Sequence, residues 1–386
     1  MKILLLSFGI PTKKNPQAGC FAMDQAIALH ANGHNVGILS LNGKIGKEWK
    51  KPGVKHWVQD GIECFEAFGI PIAIVGRLLG PKATVKLTQR WAISLFPKVI
   101  KKFGYPDIVH AHFLTTMIQG AAIKKAYRIT LVGTEHWSKL AEPELQKDVK
   151  YYGNYSYPAV DKLICVSKNL RECVRKNFGK DSVVIHNLFN TSLLQPALPK
   201  TNNKLYTIAA VGSLIERKGF DLLIQAIAAS DLSDKNIRVN IYGTGPQYGY
   251  LHKMIQKNAL EDKIILCGQK SKAELYQELR RSDLFVLSSR LENFSVAIIE
   301  ATGNGLPAVA TLCGGIEEYP IRNVIKIPTN DVNALKVAIE TAYKERNMID
   351  RIAIQQQTIY YYSPKSIIKQ IEDVYRSVLI EKEADS

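Results

Sequence analysis

Short apolar runs alternate with helical stretches along nearly the whole chain, and the series runs twice. In the first half Ile3–Phe8, Val36–Leu41, Val54–Val58, Ile62–Phe68, Asp107–Ala111, Thr130–Gly133, Lys162–Ser167 and Val183–His186 read as strands. A helix over Phe21–Ala31 stops at Gly33, and helical stretches separate the later runs. In the second half the strands are Tyr206–Gly212, Ile237–Tyr242, Ile264–Gly268, Asp283–Ser288 and Ala308–Thr311. The helices between them are Phe220–Ala229, Tyr248–Asn258, Lys272–Arg281 and Phe294–Thr302. Such alternation predicts an α/β fold with parallel, doubly wound sheets.

At 386 residues the chain is too long for one typical core, so two domains are expected. The alternation lapses over Leu188–Lys204, which gains Pro, Asn and Thr. The predicted domains are therefore 1–190 and 205–362, joined by a linker at 191–204. Apolar residues at Ile367, Ile368, Ile371, Val374, Tyr375 and Val378 predict a final amphipathic helix within 363–386, packing back toward the first domain. Two tandem doubly wound domains imply a cleft between them, with ligands bound at loops that follow strands.

Composition narrows the class. The six cysteines are scattered with no C-x-x-C pair, which argues against a zinc site or a disulfide framework and for a reducing, cytoplasmic setting. The apolar start at Met1 runs into Pro11-Thr-Lys-Lys-Asn-Pro16 without a small-residue cleavage site, so it reads as a first strand rather than a signal peptide. No apolar run approaches the ~20 residues of a membrane span. The net charge of +16 is uneven: residues 1–200 carry +15 and the remainder +1, so the first half is expected to face an anionic surface or substrate.

Several loops after strands hold chemistry-bearing residues. Gly19 follows the first strand just before a helix, where it permits either a close backbone approach to a phosphate or simply a turn. Arg217 and Lys218 precede a helix N-terminus, a place where the dipole disfavours cations; a bound pyrophosphate would account for them. Glu292 and Glu300 flank Asn293-Phe-Ser-Val-Ala-Ile-Ile299. Glu292 is placed in the loop and Glu300 about two turns into a helix, so the two acceptors reach different parts of one elongated ligand. Gly243-Thr-Gly-Pro246 is not a full dinucleotide fingerprint, and Cys313-Gly-Gly-Ile-Glu-Glu318 again offers paired glycines. His110 and His112 share one face of a strand. No third ligand stands at a telling spacing, so no metal site is assigned. His136, closing Gly133-Thr-Glu-His136, is the histidine placed best for a site.

With these loops in view, the sequence resembles the retaining glycosyltransferases of family 4, which have the GT-B architecture of two Rossmann-like domains facing across a cleft. The likeness is strongest at GSLIERKGFDLLIQAIA (212–228) and LSSRLENFSVAIIEATGNGLPAVATLCGGIEE (287–318). It implies catalytic positions at His136, facing the reacting sugar, and Glu292, beside the transferred sugar. It further implies that Asn293, Phe294 and Ser295 hold the sugar through backbone, that Glu300 binds ribose, that Lys218 neutralises the diphosphate, and that Gly19 lets the first domain close over it. Neither metal nor cofactor is implied. The partners would be a nucleotide-sugar donor, UDP-linked by expectation, and a glycan or lipid-linked acceptor in surface polysaccharide synthesis, with no nucleic acid. Three positions depart from the family pattern: Ser213 stands where an arginine is usual, leaving Arg217 as its replacement; Asn293 replaces a common glycine; Asn190 stands where aspartate is frequent.

Arg77–Lys102 carries seven cations and no acid among apolar residues that include Trp91. This is the composition of an interfacial helix that docks on anionic lipid, peripheral on the inner membrane face, with a kink at Pro97; a core helix with a solvated basic face is the competing reading. Two other functions remain open at this point. One is a GT-B-fold sugar-nucleotide epimerase. The other is a basic, non-enzymatic membrane- or nucleic-acid-binding protein, although no RNA- or DNA-binding motif is visible.

Overall fold

The computed structural model describes residues 1–12, 15, 18–44, 53–68, 72–142, 144–198 and 205–384. Residues 13, 14, 16 and 17 of the loop before Gly19, and 199–204 of the expected linker, lie outside them. The chain divides into two compact units: Met1–Leu188 with Pro364–Ser386, and Phe189–Ser363.

The first unit contains β1 (Lys2–Ser7), α1 (Cys20–Ala31), β2 (Asn35–Lys44), β3 (Gly53–Gln59), β4 (Ile62–Phe68), α2 (Ile72–Phe103) and β5 (Ile108–His112). It continues with α3 (Leu114–Tyr127), β6 (Thr130–Glu135), α4 (Lys147–Ser156), β7 (Lys162–Cys165), α5 (Lys168–Phe178) and β8 (Val183–Val184). The strand order is β3-β4-β2-β1-β5-β6-β7-β8. Every pairing is parallel except β3 with β4, which run antiparallel at the edge. β1 and β5 are buried on both faces, as central parallel strands must be, which is why their sequences read as continuous apolar runs.

The second unit contains β9 (Tyr206–Val211), α6 (Phe220–Ala228), β10 (Ile237–Tyr242), α7 (Tyr248–Lys257), β11 (Ile264–Gly268), α8 (Lys272–Arg281) and β12 (Leu284–Leu287). After these come α9 (Val296–Gly303), β13 (Ala308–Thr311), β14 (Val324–Ile327), α10 (Val332–Lys344) and α11 (Arg351–Tyr362). Its sheet is parallel in the order β11-β10-β9-β12-β13-β14, the Rossmann order with its switch point between β9 and β12. In the first unit the corresponding switch lies between β1 and β5. The final helix, α12 (Pro364–Ala384), belongs to the first unit. Its Ile367, Ile368, Ile371, Val374, Tyr375 and Val378 join the core formed by β1, α1 and β2.

Three sequence expectations are corrected. The break in α2 falls at Gly80 (φ 79°, ψ 178°) before Pro81, not at Pro97. Glycine accepts that conformation, and proline is tolerated at the start of the next helical segment. Pro97 removes the hydrogen bond to the carbonyl of Ile93, four residues back, and the Tyr127 hydroxyl donates to that oxygen instead, at 3.4 Å. Trp91 is buried, 3% exposed, in a stripe with Val85, Thr88, Ala92, Leu95, Phe96 and Val99, so it is a core residue rather than an interfacial one. The exposed apolar residues of the segment are Leu78, Leu79 and Ile93. Finally, α9 begins at Val296 rather than Phe294. The Asn293 carbonyl is taken by the Gly315 N–H at 2.7 Å, which holds the preceding residues out of the helix. Glu300 is therefore little more than one turn in.

Candidate active site

In the second unit, four loops at the carboxyl ends of parallel strands lock together through backbone contacts. Gly219 (φ +62°) lies so close to the next strand's loop that a Cβ would sit 2.1 Å from the Ser288 carbonyl oxygen. At Gly314 (φ +63°) a Cβ would meet the Glu292 carbonyl at 2.0 Å. Both positions require glycine for space as well as for φ. The Leu214 N–H bonds the Thr244 carbonyl at 2.9 Å and the Arg290 N–H bonds the Arg217 carbonyl at 2.8 Å.

This scaffold brings Lys218 and Glu292 into an ion pair, with Ser289 Oγ donating to the same Glu292 oxygen at 3.0 Å. Nearby, burial pushes the Cys313 thiol up to about 12, so it stays neutral beside the pair. Ser295 N-caps α9 in an extended conformation without a side-chain capping bond, and its buried Oγ has no hydrogen-bond partner among the described residues. A buried hydroxyl without a partner at a helix N-terminus is uncommon in a folded protein. Glu300 is nearly buried and pairs with Lys272 of α8 at 3.1 Å. Phe294 is buried and packs its ring against Tyr362 at 5.5 Å. Arg217 is half-buried in the 3-10 turn Glu216–Lys218 that precedes Gly219.

Sequence reasoning missed Arg290, Asp221, Lys272 and Ser289. Arg290 forks onto both carboxylate oxygens of Asp221, at 2.8 and 2.6 Å, and also donates to the Glu216 carbonyl and to Asn330. Asp221 holds the Arg290 guanidinium above its ordinary pKa. The fork ties the loop of Lys218 to that of Glu292, and no spacing in the sequence announces it.

In the first unit, Gly19 (φ +70°) caps α1, and a Cβ there would lie 1.9 Å from the Gly9 carbonyl. The close approach at Gly19 is thus with the chain's own backbone. His136, just past β6, stacks on Phe21 (5.3 Å, 8°) and His112 (5.3 Å, 15°), with Phe113 tilted against it at 4.9 Å. Its neighbour Glu135 is fully buried. It accepts from the His136 and Trp137 N–H groups and from the Tyr157 hydroxyl, each at 2.9 Å. Desolvation outweighs these donors and raises the carboxyl to about 7. Burial lowers all three imidazoles, His110, His112 and His136, so they are neutral.

Two Rossmann-like units in one chain, one of them gathering basic and acidic groups at the carboxyl ends of its strands, are the arrangement of the GT-B fold. The family model for glycosyl transferases group 1 matches residues 195–358, and that for glycosyltransferase family 4 matches residues 19–193. An uncharacterized glycosyltransferase of Methanocaldococcus jannaschii is 30% identical over 252 residues, covering 64% of this chain and 68% of that protein. The chain belongs to glycosyltransferase family 4 and is a transferase. It is also 27% identical over 256 residues to a phosphatidylinositol N-acetylglucosaminyltransferase subunit from Arabidopsis thaliana; the match covers 66% of this chain but only 55% of that relative's length. Among solved structures, a sucrose-phosphate synthase from Thermosynechococcus elongatus superposes with a TM-score of 0.78 at 17% identity, over 99% of this chain and 100% of the other. Anabaena HepE in complex with UDP and glucose superposes with a TM-score of 0.72 at 20% identity, over 98% and 100%; these likenesses concern the fold. Among the described residues no helix is long and apolar enough to cross a membrane.

Proposed function

We propose that the chain is a retaining glycosyltransferase that moves a sugar from a UDP-sugar to a glycan or lipid-linked acceptor in surface polysaccharide synthesis. The observation that carries this reading is the contact of Lys218 with Glu292 at the Rossmann switch point. A cation for a diphosphate and an acceptor for sugar hydroxyls are held there together, with the unfilled Ser295 Oγ on the helix that follows. Departure of the nucleotide builds charge on the β-phosphate oxygen. Lys218 and the N-terminus of α9 are suited to stabilise it electrostatically, and Arg217 is a second donor to the diphosphate. In this reading Glu300 binds the ribose, Asn293, Phe294 and Ser295 offer backbone to the sugar, and His136 is the first unit's contribution to the reacting sugar. No metal is required. HepE has been solved with UDP-glucose, and relatives are named for transfer to phosphatidylinositol and for glycogen synthesis, which favours a UDP donor and leaves both acceptor types in play.

The test is incubation with UDP-sugars and candidate acceptors in the presence of a chelator, with the product's anomeric coupling read by proton NMR. Retained configuration at the transferred carbon supports the proposal. Inverted configuration, or epimerised UDP-sugar without transfer, contradicts it.

A membrane-linked acceptor would agree with α2, whose Lys82, Lys86, Arg90, Lys98, Lys101 and Lys102 are exposed beside Leu78 and Leu79, 78% and 65% exposed. We propose peripheral docking of this face on anionic lipid, at the cytoplasmic side of the membrane. Flotation with anionic vesicles should be lost in the Lys98→Glu/Lys101→Glu/Lys102→Glu variant; undiminished flotation contradicts the docking.

A further inference from the structure

We infer that Lys272 is a positioning residue for donor recognition: from the first turn of α8 it reaches across to α9 and fixes the Glu300 carboxylate in the orientation that accepts a ribose hydroxyl. The inference rests on the proposed ribose-binding role of Glu300.

Lys272 Nζ lies 3.1 Å from Glu300 Oε1, with the two side chains 32% and 11% exposed. Lys272 is the first residue of α8. The helix dipole opposes a cation at that position, so the helix itself gives no reason for one. The first acid of α8, Glu274, is occupied by the helix cap. Its carboxylate accepts from the Ser271 N–H at 2.9 Å and from the Ser271 hydroxyl at 2.7 Å, and its own N–H donates to Ser271 Oγ at 3.3 Å. The ammonium of Lys272 turns instead to the neighbouring helix. Each of the two site glutamates thus has its own lysine, Lys218 for Glu292 and Lys272 for Glu300.

The backbone of Glu300 is fixed independently. Its carbonyl accepts from the Asn304 N–H at 3.2 Å and from the Asn304 side-chain amide at 2.8 Å, which closes α9 just beyond it. What is left to set is the side chain, and a glutamate has several rotamers to lose. The contact with Lys272 removes that freedom before the donor arrives, so a ribose hydroxyl meets an acceptor already in place. A carboxylate has about four acceptor positions. An ammonium is a compact point charge, whereas the planar fork of an arginine would take both oxygens. A lysine therefore holds one Glu300 oxygen and leaves the carboxylate able to accept from a ligand. The partial exposure of Lys272 puts the pair at the solvent edge of the loops, where a nucleotide can reach it.

The experiment is calorimetric titration of the full chain with UDP and with 2′,3′-dideoxy-UDP, which lacks both ribose hydroxyls. The wild type is expected to prefer UDP by roughly 10- to 100-fold, the worth of a hydrogen bond to a charged group. Lys272→Met, which keeps the length of the side chain and removes the charge, should weaken UDP binding about tenfold. It should leave 2′,3′-dideoxy-UDP binding unchanged, so the preference collapses. In steady-state kinetics the same variant should raise the donor KM and leave kcat nearly as it was. Unchanged 2′,3′-dideoxy-UDP binding also shows that the variant is folded. Loss of affinity for both nucleotides alike would make Lys272 a structural residue and overturn the inference. Unchanged UDP binding overturns it too, and tighter UDP binding would mean that Lys272 competes with the ribose for Glu300. A Glu300→Ala variant that keeps the full preference for UDP overturns the ribose-binding role of Glu300 itself, and the role of Lys272 with it.

Discussion

Lys218 and Glu292, from the loops that follow the neighbouring strands β9 and β12, form an ion pair with side chains only 15% and 9% exposed. The pair sits where the strand order of the parallel sheet reverses. Removing one member leaves the other buried with reduced compensation.

Lys218→Ala should therefore cost about 2 kcal/mol of stability, because Glu292 keeps only the Ser289 hydroxyl as a partner for that oxygen. The Lys218→Ala/Glu292→Ala double variant should regain part of this loss while failing to bind UDP. Urea unfolding of the four proteins of the cycle gives the coupling energy.

Arg290→Lys should raise the donor KM about tenfold with a small change in kcat. Lysine cannot reproduce the two-pronged contact with Asp221 or the bonds to Glu216 and Asn330 that fix the Lys218 loop. Steady-state kinetics at saturating acceptor would show it, and an unchanged KM would remove Arg290 from the positioning of that loop.

Gly219→Ala and Gly314→Ala should each lower stability by about 2–3 kcal/mol, combining a left-handed φ with collision against a carbonyl oxygen. Gly33→Ala shares the positive φ but meets no atom within 4 Å, and should cost about 1 kcal/mol. Thermal unfolding of the three variants separates the two causes.

Glu135 gives a pH signature. Its carboxyl is raised from 4.5 to about 7 by burial, so the folded state holds a proton that the unfolded state releases. Its contribution to stability is complete below about pH 4.5 and falls as pH rises toward 7, by up to about 3 kcal/mol. The stability of Glu135→Gln relative to wild type should increase across that window. A difference independent of pH would mean that Glu135 is ionised in the fold.

The fold was legible because central parallel strands bury both faces and leave uninterrupted apolar runs such as Ile3–Leu6 and Leu284–Leu287. The site loops were legible because the switch points place them after β9 and β12. What escaped were features set by tertiary contact. Pro97 stays inside its helix because Tyr127 reaches the freed carbonyl. Trp91 turns inward because its stripe matches the core. Glu300 is shorter of helix than expected because Gly315 captures the Asn293 carbonyl. The Arg290–Asp221 fork joins residues 69 apart in sequence, and the histidine stack joins two strands and the final helix. Neither has a local signature.

In the proposed function the loops of the second unit bind the nucleotide diphosphate of a sugar donor through Lys218 and Glu300. Calorimetric titration of UDP into wild type, Lys218→Ala and Glu300→Ala tests it most directly. A single site is expected in the wild type, with a loss of affinity of tenfold or more in each variant, about 1.4 kcal/mol or greater. UDP affinity undiminished in both variants, with the fold intact, would contradict it.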